Sequence, residues 1–477
     1  MNNLETGFIA KVAEEDLADL GKGPVDSKLN HAKGLESEKH LASTDVEKKE
    51  CQEHNNGIAS FGMSVFNLSN AIIGSGLLGL SYAMANTGIV LFVILLIGVM
   101  LLSLYSIHLL LNISTITGSM VYETLGEKAF GKPGKFIVFG ATSLQNTGAI
   151  LSYLFIVKNE LPFVIKSFVD VNSQEWYLNG SYLIIIVTLV IILPLCLFKN
   201  LGYLGYTSGF SLACMIFFLI VVIWKKTEIP CPFTVSNSSC ISDGVKCNAK
   251  YFVLNEKTVY ALPTMAFAFV CQPSLLPIYS ELKNRTSRRM KKVSNISVFA
   301  MFIMYLLTAI FGYLTFYDDV NSELLCSYSD KRDQTILIVR LAVITAVILT
   351  VPVLLFTIRS SILLIALKGK FSWFWHIITT LVLLIACNVL VILIPSIKDV
   401  FAVIGSSSAN MLIFIIPASL YLKLAKDETV FTLRKMGTVL FLIAGIIFML
   451  VNLPLIIIEW THRDSNTTTT ESCTKEL

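Results

Sequence analysis

The residues Gly74-Ser75-Gly76 lie in the middle of a long apolar stretch, where a helix is hardest to interrupt. Between Phe61 and Tyr122 the chain contains no Asp, Glu, Lys or Arg, so this stretch is predicted to lie in a membrane. A helix that unwinds in hydrocarbon leaves backbone groups unpaired, at a cost of several kcal/mol each. N–H groups at the start of a half-helix suit an anion such as a carboxylate. The alternative is that the small residues only allow close packing of two helices.

A second interruption lies in FAFVCQPSLLP, residues 267–277, which contains Pro273 and Pro277. Pro273 has no N–H and disturbs the hydrogen bonding of its own turn, which leaves carbonyl groups free for a cation. Neither break has an acidic or basic residue near it, so a ligand with a net charge would lack a counter-charge. A neutral zwitterion fits best, with its carboxylate on the half-helix start and its ammonium group on the opposing carbonyls.

Other polar and aromatic residues are candidates for the same site. Gln145 and Asn146 lie in the middle of a third apolar run and either line a polar cavity or bond a neighbouring helix. Phe267 and Phe269 either contact a ligand as a gate or serve only in packing. Ser75 contributes either its N–H or its hydroxyl group.

Three ionisable residues lie near the ends of apolar runs. Lys158 and Arg340 are expected to extend their charged groups to the membrane surface. His462 follows the last apolar run and is a weak candidate for sensing external pH, because histidine titrates near pH 6.5.

The sequence indicates no enzyme and no resident cofactor. It contains no P-loop, no His/Cys cluster with metal-ligand spacing and no plausible hydrolytic triad. The net charge of +4 is spread over short loops and does not form the basic face of a nucleic-acid-binding protein. Its expected partners are a small substrate, an ion and the lipid bilayer.

Membrane helices must position these residues. The chain has 477 residues, of which 54% are hydrophobic and 15% charged, and its mean hydropathy is +0.70. These values predict an all-α polytopic membrane protein. Eleven apolar runs are long enough to span a bilayer. They are residues 61–85, 87–111, 136–162, 181–198, 202–224, 259–280, 293–316, 337–367, 373–395, 399–422 and 436–459.

The two breaks fall in the first and the sixth of these spans. Paired interruptions at corresponding positions are typical of transporters built from two inverted repeats, with the binding site at the breaks. The sequence therefore predicts a LeuT-like fold with five plus five spans, broken spans 1 and 6, and one additional span.

The basic residues predict the orientation. Residues 281–292 contain six Lys and Arg against one Glu, and the loops on that side are richer in basic residues than the opposite loops. The positive-inside rule places this side in the cytoplasm. Residues 1–60 are then a disordered cytoplasmic tail, residues 61–459 form the transporter domain, and residues 460–477 form an extracellular tail.

The longest loop, residues 225–258, lies outside in this topology. It contains three cysteines, Cys231, Cys240 and Cys247, on the side where disulfides persist. It also contains Asn237-Ser238-Ser239, an acceptor sequence for N-glycosylation.

Several motifs closely resemble the sodium-coupled neutral amino acid transporters, and the likeness extends from about residue 60 to residue 459. The matching segments are SFGMSVFNLSNAIIGSGLLGLSYAMANTG, SLQNTGAILSYLFIVKNELP, KNLGYLGYTSGFSL, LPIYSELKNR, IFGYLTFYDDV and VILTVPVLLFTIRSS. The system A members, which carry small neutral amino acids with sodium, resemble the chain most.

The resemblance implies a LeuT-like fold with eleven spans and a sodium site that uses Asn70 and Thr350. The alternatives are that Asn70 bonds a neighbouring helix and that Thr350 bonds the backbone of its own helix. The resemblance also implies an external disulfide between Cys231 and Cys247, which leaves Cys240 unpaired. One departure is Gln272, in FVCQP, where many relatives have FVCHP. A neutral amide at this position puts a proton role there in doubt.

The function expected from these features is sodium-coupled symport of small neutral amino acids, of the alanine, glutamine and serine class, across the plasma membrane by alternating access. Two alternatives remain open. One is a system N type carrier of glutamine, histidine and asparagine that exchanges a proton. The other is an amino acid sensor that binds without transporting.

Overall fold

The computed structural model describes residues 57, 59–168, 178–197, 204–229, 247–328, 333–367, 373–425 and 433–465. Ten of its helices are long and apolar enough to cross a membrane, and a bent helix pair raises the count to eleven. The predicted all-α fold and the predicted number of spans are therefore confirmed, and the described residues form no β-strand beyond one isolated bridge.

We number the spans along the chain, and the half-helices of spans 1 and 6 are called 1a, 1b, 6a and 6b. Spans 1a and 1b are Phe61–Ile72 and Gly76–Ala85. Spans 2 to 5 are Ile89–Thr117, Tyr122–Phe168, Gly180–Leu197 and Leu204–Glu228. Spans 6a and 6b are Ala261–Ala268 and Gln272–Glu281. Spans 7 to 11 are Ser287–Phe316, Gln334–Leu367, Trp373–Leu393, Ile397–Leu424 and Leu433–Ser465.

Both predicted interruptions are present. Spans 1a and 1b meet at an angle of 56° around residues 73–75. Residues 269–271, between spans 6a and 6b and just before Pro273, are not helical. These breaks agree with a five-plus-five arrangement, while the inverted repeat itself stays a prediction.

Span 3 begins earlier than its apolar run predicts, at Tyr122 instead of residue 136. The first part of this helix contains Glu123, Glu127, Lys128 and Lys135, so it is too polar to belong to an apolar run. Gly131, with φ of 69°, bends the chain between this polar segment and the membrane-spanning part.

The entry to span 1 is tied to the end of span 6. The Ala59 N–H donates to the Glu281 carbonyl at 2.9 Å, and the Lys283 N–H donates to the Ala59 carbonyl at 2.9 Å. A side chain at residue 57 would clash with this junction, because a Cβ there would lie 2.1 Å from the Glu281 oxygen. These contacts place both ends on one face, as alternation of the spans requires.

The end of the long loop lies over the turn between spans 1 and 2, on the opposite face. Thr87 accepts a backbone hydrogen bond from Val253 at 2.9 Å, and Ile89 donates one to Lys250 at 3.0 Å. Cys247, in this segment, is disulfide-bonded. Cys326, between spans 7 and 8, is also disulfide-bonded, which the sequence did not indicate.

Candidate functional site

The two breaks face each other at the centre of the molecule. A Cβ built on Gly76, the first residue of span 1b, would lie 2.8 Å from the Cβ and 3.0 Å from the Cα of Ala268, the last residue of span 6a. Only glycine allows this approach, because a Cβ at that distance would force the backbones apart. The contact shows the close helix packing that the sequence left open as an alternative, and a substrate role for Gly76 stays a prediction.

The break in span 1 leaves donors and acceptors unpaired. In the described structure, the N–H groups of Ser75 and Gly76 make no hydrogen bond, and no backbone N–H reaches the carbonyls of Asn70 and Ala71. The Ser75 hydroxyl contacts the Ser152 hydroxyl of span 3, so the free group of Ser75 is its N–H. One turn of backbone thus offers N–H groups to an anion and carbonyls to a cation.

Tyr305 of span 7 joins the two breaks, a role that the sequence analysis missed. Its hydroxyl lies 2.8 Å from the Ile72 carbonyl and 2.9 Å from the Ala268 carbonyl. The hydroxyl has one proton and donates it to one of these carbonyls at a time. Tyr305 is fully buried, so it holds the ends of spans 1a and 6a at a fixed separation.

We expect Tyr305→Phe to lower the apparent affinity for the transported ligands by about tenfold at normal surface expression. The loss of a buried hydrogen-bond donor costs about 1–3 kcal/mol. Without the Tyr305 hydroxyl, the carbonyls at the ends of spans 1a and 6a both lose their partner. Ligand concentration series in transporting cells measure this effect. Tyr182→Phe is the matched control, because Tyr182 is 54% exposed and loses the same hydroxyl. Equal affinities in the two variants would show that Tyr305 does not organise the breaks.

Asn70 and Thr350, the predicted sodium ligands, both have oxygen atoms available. Asn70 lies in the last turn of span 1a, and its Oδ1 atom is buried without a hydrogen-bond partner. The Thr350 hydroxyl donates to the Ala346 carbonyl at 2.8 Å and keeps its lone pairs. Pro352, inside the same helix, has no N–H for the carbonyl four residues earlier, that of Ile348. Hard cations prefer oxygen ligands, so each of these groups has the chemistry of a sodium ligand, and their joining in one site stays a prediction.

Gln145 and Asn146 are engaged with other helices. The Gln145 side-chain oxygen accepts a hydrogen bond from Ser408 of span 10 at 2.9 Å. The Asn146 amide donates to Thr357 of span 8 at 2.8 Å. These are the interhelical bonds that the sequence left open as an alternative to a polar cavity, and a substrate role for either residue stays a prediction.

Aromatic rings surround the breaks. The Phe267 ring packs against the Phe401 ring of span 10 with centroids 5.1 Å apart, and Phe269 meets Tyr305 edge to face at 5.2 Å. Phe401 also fills the space beside Gly79 of span 1b, where a Cβ would lie 2.9 Å from its ring. The rings therefore join spans 1b, 6a and 10, a contact of Phe401 that its residue type alone did not indicate.

Gln272 stabilises the start of span 6b. Its side-chain oxygen accepts the Cys271 N–H at 3.1 Å, and its amide lies 3.3 Å from the Ser106 hydroxyl of span 2. The amide is thus used in structural hydrogen bonds. Cys231 and Asn237 lie outside the described residues, as does the side chain of His462.

The architecture defines a class of protein, a polytopic transporter with two interrupted helices that meet at an uncharged polar site. Residues 57–458 match the family described as transmembrane amino acid transporter protein. The chain belongs to this family, whose members are transporters and not enzymes.

Named relatives cover almost the whole chain. It is 55% identical to the sodium-coupled neutral amino acid symporter 2 of Danio rerio, over 90% of this chain and 88% of the relative. It is 51% identical to the sodium-coupled neutral amino acid transporter 4 of Homo sapiens, over 90% of this chain and 91% of the relative.

Proposed function

We propose that the protein is a sodium-coupled symporter that imports small neutral amino acids, of the alanine, glutamine and serine class, across the plasma membrane. The observation that carries this proposal is the break in span 1. There the free N–H groups of Ser75 and Gly76 follow the unpaired Asn70 side-chain oxygen by five and six residues along the unwound chain. The names of the relatives, which specify sodium coupling and neutral amino acids, support it.

The substrate is held by backbone groups in this proposal. The N–H groups that follow Gly74, those of Ser75 and Gly76, receive the carboxylate, and carbonyls near the span 6 break receive the ammonium group. Phe267 and Phe269 cover the aliphatic part, while Gln145 and Asn146 contribute through the helices that they join. A site without a charged side chain admits a zwitterion and disfavours a ligand with net charge.

Sodium binds on the other side of the same turn. The Asn70 amide oxygen, the Thr350 hydroxyl and the carbonyls freed near both residues supply neutral oxygen ligands. Sodium and the substrate carboxylate then attract each other and both order the unwound turn. Alternating access follows if spans 1 and 6 move against the remaining spans of a LeuT-like inverted repeat.

The second candidate, a system N type carrier that exchanges a proton, loses support at Gln272. This residue has no titratable group, and its amide is engaged with Cys271 and Ser106. Net charge movement separates the two candidates, because one positive charge enters per cycle only in sodium symport without proton exchange.

The outer surface is assigned by topology. We place the N-terminus in the cytoplasm and the C-terminus outside, with a disulfide between Cys231 and Cys247 and a glycan on Asn237. Cys247 is disulfide-bonded in the structure, which supports part of this assignment. Competition of protons at the sodium site, with a contribution from His462, would make acidic medium inhibitory.

Current recordings under voltage clamp in oocytes, across a panel of amino acids with sodium replaced by choline, test the proposal. We expect inward currents with alanine, serine and glutamine that disappear without sodium. Lysine and glutamate should give no current, because the site has no counter-charge. Saturable binding without flux would instead indicate a sensor, and sodium-dependent uptake without net current would indicate proton exchange.

A further inference from the structure

A second polar centre lies away from the breaks, where residues 317–328, called the connecting segment, contact spans 3 and 8. It contains Glu160 of span 3, Glu323 of the connecting segment and Arg340 of span 8, and we call these three residues the outer carboxylate cluster. All three are buried, with 0%, 1% and 5% of their surfaces exposed. The expectation that Arg340 extends to the membrane surface is therefore wrong.

The Arg340 guanidinium forms an ion pair with Glu160. Its Nε atom lies 3.1 Å from Glu160 Oε2 in an ion pair that is poorly aligned for a hydrogen bond. Its other contacts are the carbonyls of Leu325 and Tyr328, at 3.2 and 2.6 Å, and the ring of Phe163. The guanidinium thus fastens the connecting segment to span 8.

Glu323 has a less complete environment. Its Oε2 atom accepts a hydrogen bond from the Asn159 amide at 2.9 Å, while its Oε1 atom is buried with no hydrogen-bond partner. Carboxylate oxygens of Glu160 and Glu323 lie within 4.8 Å of each other and of the Cys326 sulfur. Because Cys326 is disulfide-bonded and Arg340 occupies Glu160, this group is not arranged to bind a metal ion.

The charges in the described structure do not balance if both carboxylates are ionised. Arg340 is the cation that acts on both of them. The Lys158 ammonium donates to the Val391 carbonyl at 2.9 Å, and Lys225 forms its ion pairs with Glu228 and Asp333. Burial raises the pKa of the nearby Tyr328 phenol, so this group stays neutral. Two adjacent buried carboxylates with one cation share a proton.

We propose that the outer carboxylate cluster is a proton-binding site in which a proton on Glu323 holds the connecting segment against spans 3 and 8. The bound proton removes the repulsion between the two adjacent carboxylates and leaves Glu160 as the ionised partner of Arg340. Burial, followed by the charge of Glu160, raises the pKa of Glu323 well above its ordinary value.

The connecting segment links this proton to the substrate site. Its helical turn Leu324–Ser327 packs against span 1b and span 3. A Cβ on Gly312 of span 7 would lie 3.0 Å from Leu324 and 2.3 Å from Ser81 of span 1b. Movement of span 1b at the outer face therefore requires movement of the segment that contains Glu323.

The direction of the pH effect follows from the raised pKa of Glu323. When the connecting segment is packed against spans 3 and 8, the Glu323 carboxyl keeps its proton. When the segment has moved away and the carboxyl is hydrated, it loses that proton near its ordinary pKa of about 4.3. The packed state is fully stabilised at low pH and loses stability as pH rises between these two pKa values. One proton changes the equilibrium by up to about tenfold per pH unit. Acidic medium should therefore stabilise the packed state of the connecting segment.

Labelling of an introduced cysteine tests this proposal without any transport. Val320 is buried in the packed segment and Asn321 is exposed. Each is replaced by cysteine and labelled with a membrane-impermeant maleimide. The measured quantity is the labelling rate of Val320→Cys divided by that of Asn321→Cys, because this ratio cancels the pH dependence of the reagent. We expect this ratio to rise at least threefold from pH 6.5 to pH 8.5. In a Glu323→Gln background, where a neutral amide replaces the protonated acid, the ratio should stay low and constant.

The matched control is Glu256→Gln, since Glu256 is an exposed acid on the same face. It should keep the pH dependence of the unaltered chain. If Glu323→Gln also keeps that dependence, or if the ratio does not change with pH in the unaltered chain, the proposal is wrong. In currents at saturating sodium, Glu323→Gln should remove most of the inhibition by acid. That readout rests on the proposed symport function, whereas the labelling result does not.

Discussion

Gly76→Val is expected to abolish substrate-evoked current while the protein still reaches the cell surface. A Cβ at residue 76 would already lie 2.8 Å from the Ala268 Cβ, and valine adds two methyl groups to that clash. The half-helices 1b and 6a must then separate, and the free N–H groups beside them no longer lie where they could bind a carboxylate. Whole-cell currents at saturating alanine and sodium, normalised to surface biotinylation, measure the loss.

Gly98→Val is the control for this substitution. Gly98 lies in span 2, and a Cβ there meets no atom within 4 Å. The same change of residue type should therefore leave the current within about twofold, because surface substitutions away from such contacts change stability by only about 0.5 kcal/mol. Substantial current from Gly76→Val would show that the approach of spans 1b and 6a is not needed for transport.

Asn70→Ala and Thr350→Ala are each expected to raise the sodium concentration for half-maximal current by about tenfold, which corresponds to about 1.4 kcal/mol. Each change removes one side-chain oxygen from the proposed cation site and leaves the freed carbonyls in place. Higher sodium should restore part of the apparent substrate affinity, because the substrate groups remain intact.

Thr350→Ser provides the matched control for the sodium site. It keeps the hydroxyl that donates to the Ala346 carbonyl and removes only a methyl group. Its sodium dependence should stay close to that of the unaltered protein. If Asn70→Ala and Thr350→Ala both retain normal sodium dependence at normal surface expression, the proposed site is wrong.

The spans and both breaks could be predicted because they depend on local composition. An uncharged run of sufficient length specifies a membrane helix, and Gly74-Ser75-Gly76 and Pro273 each weaken a helix through their own backbone chemistry. Asn70 could be named because the segment around the break resembles a known family. Its unpaired oxygen in the structure agrees with that choice.

The contacts between distant spans could not be predicted in the same way. Tyr305 is one aromatic residue in an apolar helix, and its type alone does not distinguish packing from a bridge between two carbonyls. Arg340 lies near the start of span 8, where a long cation ordinarily extends to the lipid headgroups. Only the fold shows that Glu160 lies beside it, 180 positions earlier in the chain.

Reciprocal titration of sodium and alanine on the surface-expressed protein tests the central claim, that one unwound turn binds both ligands. The apparent alanine affinity is measured at a series of sodium concentrations, and the apparent sodium affinity at a series of alanine concentrations. Both are obtained from pre-steady-state charge movement and binding currents. Linkage requires that each ligand tighten the other by the same factor, typically about 5–150-fold, and Asn70→Ala should reduce that factor in both directions. Alanine affinity that does not depend on sodium would contradict the account.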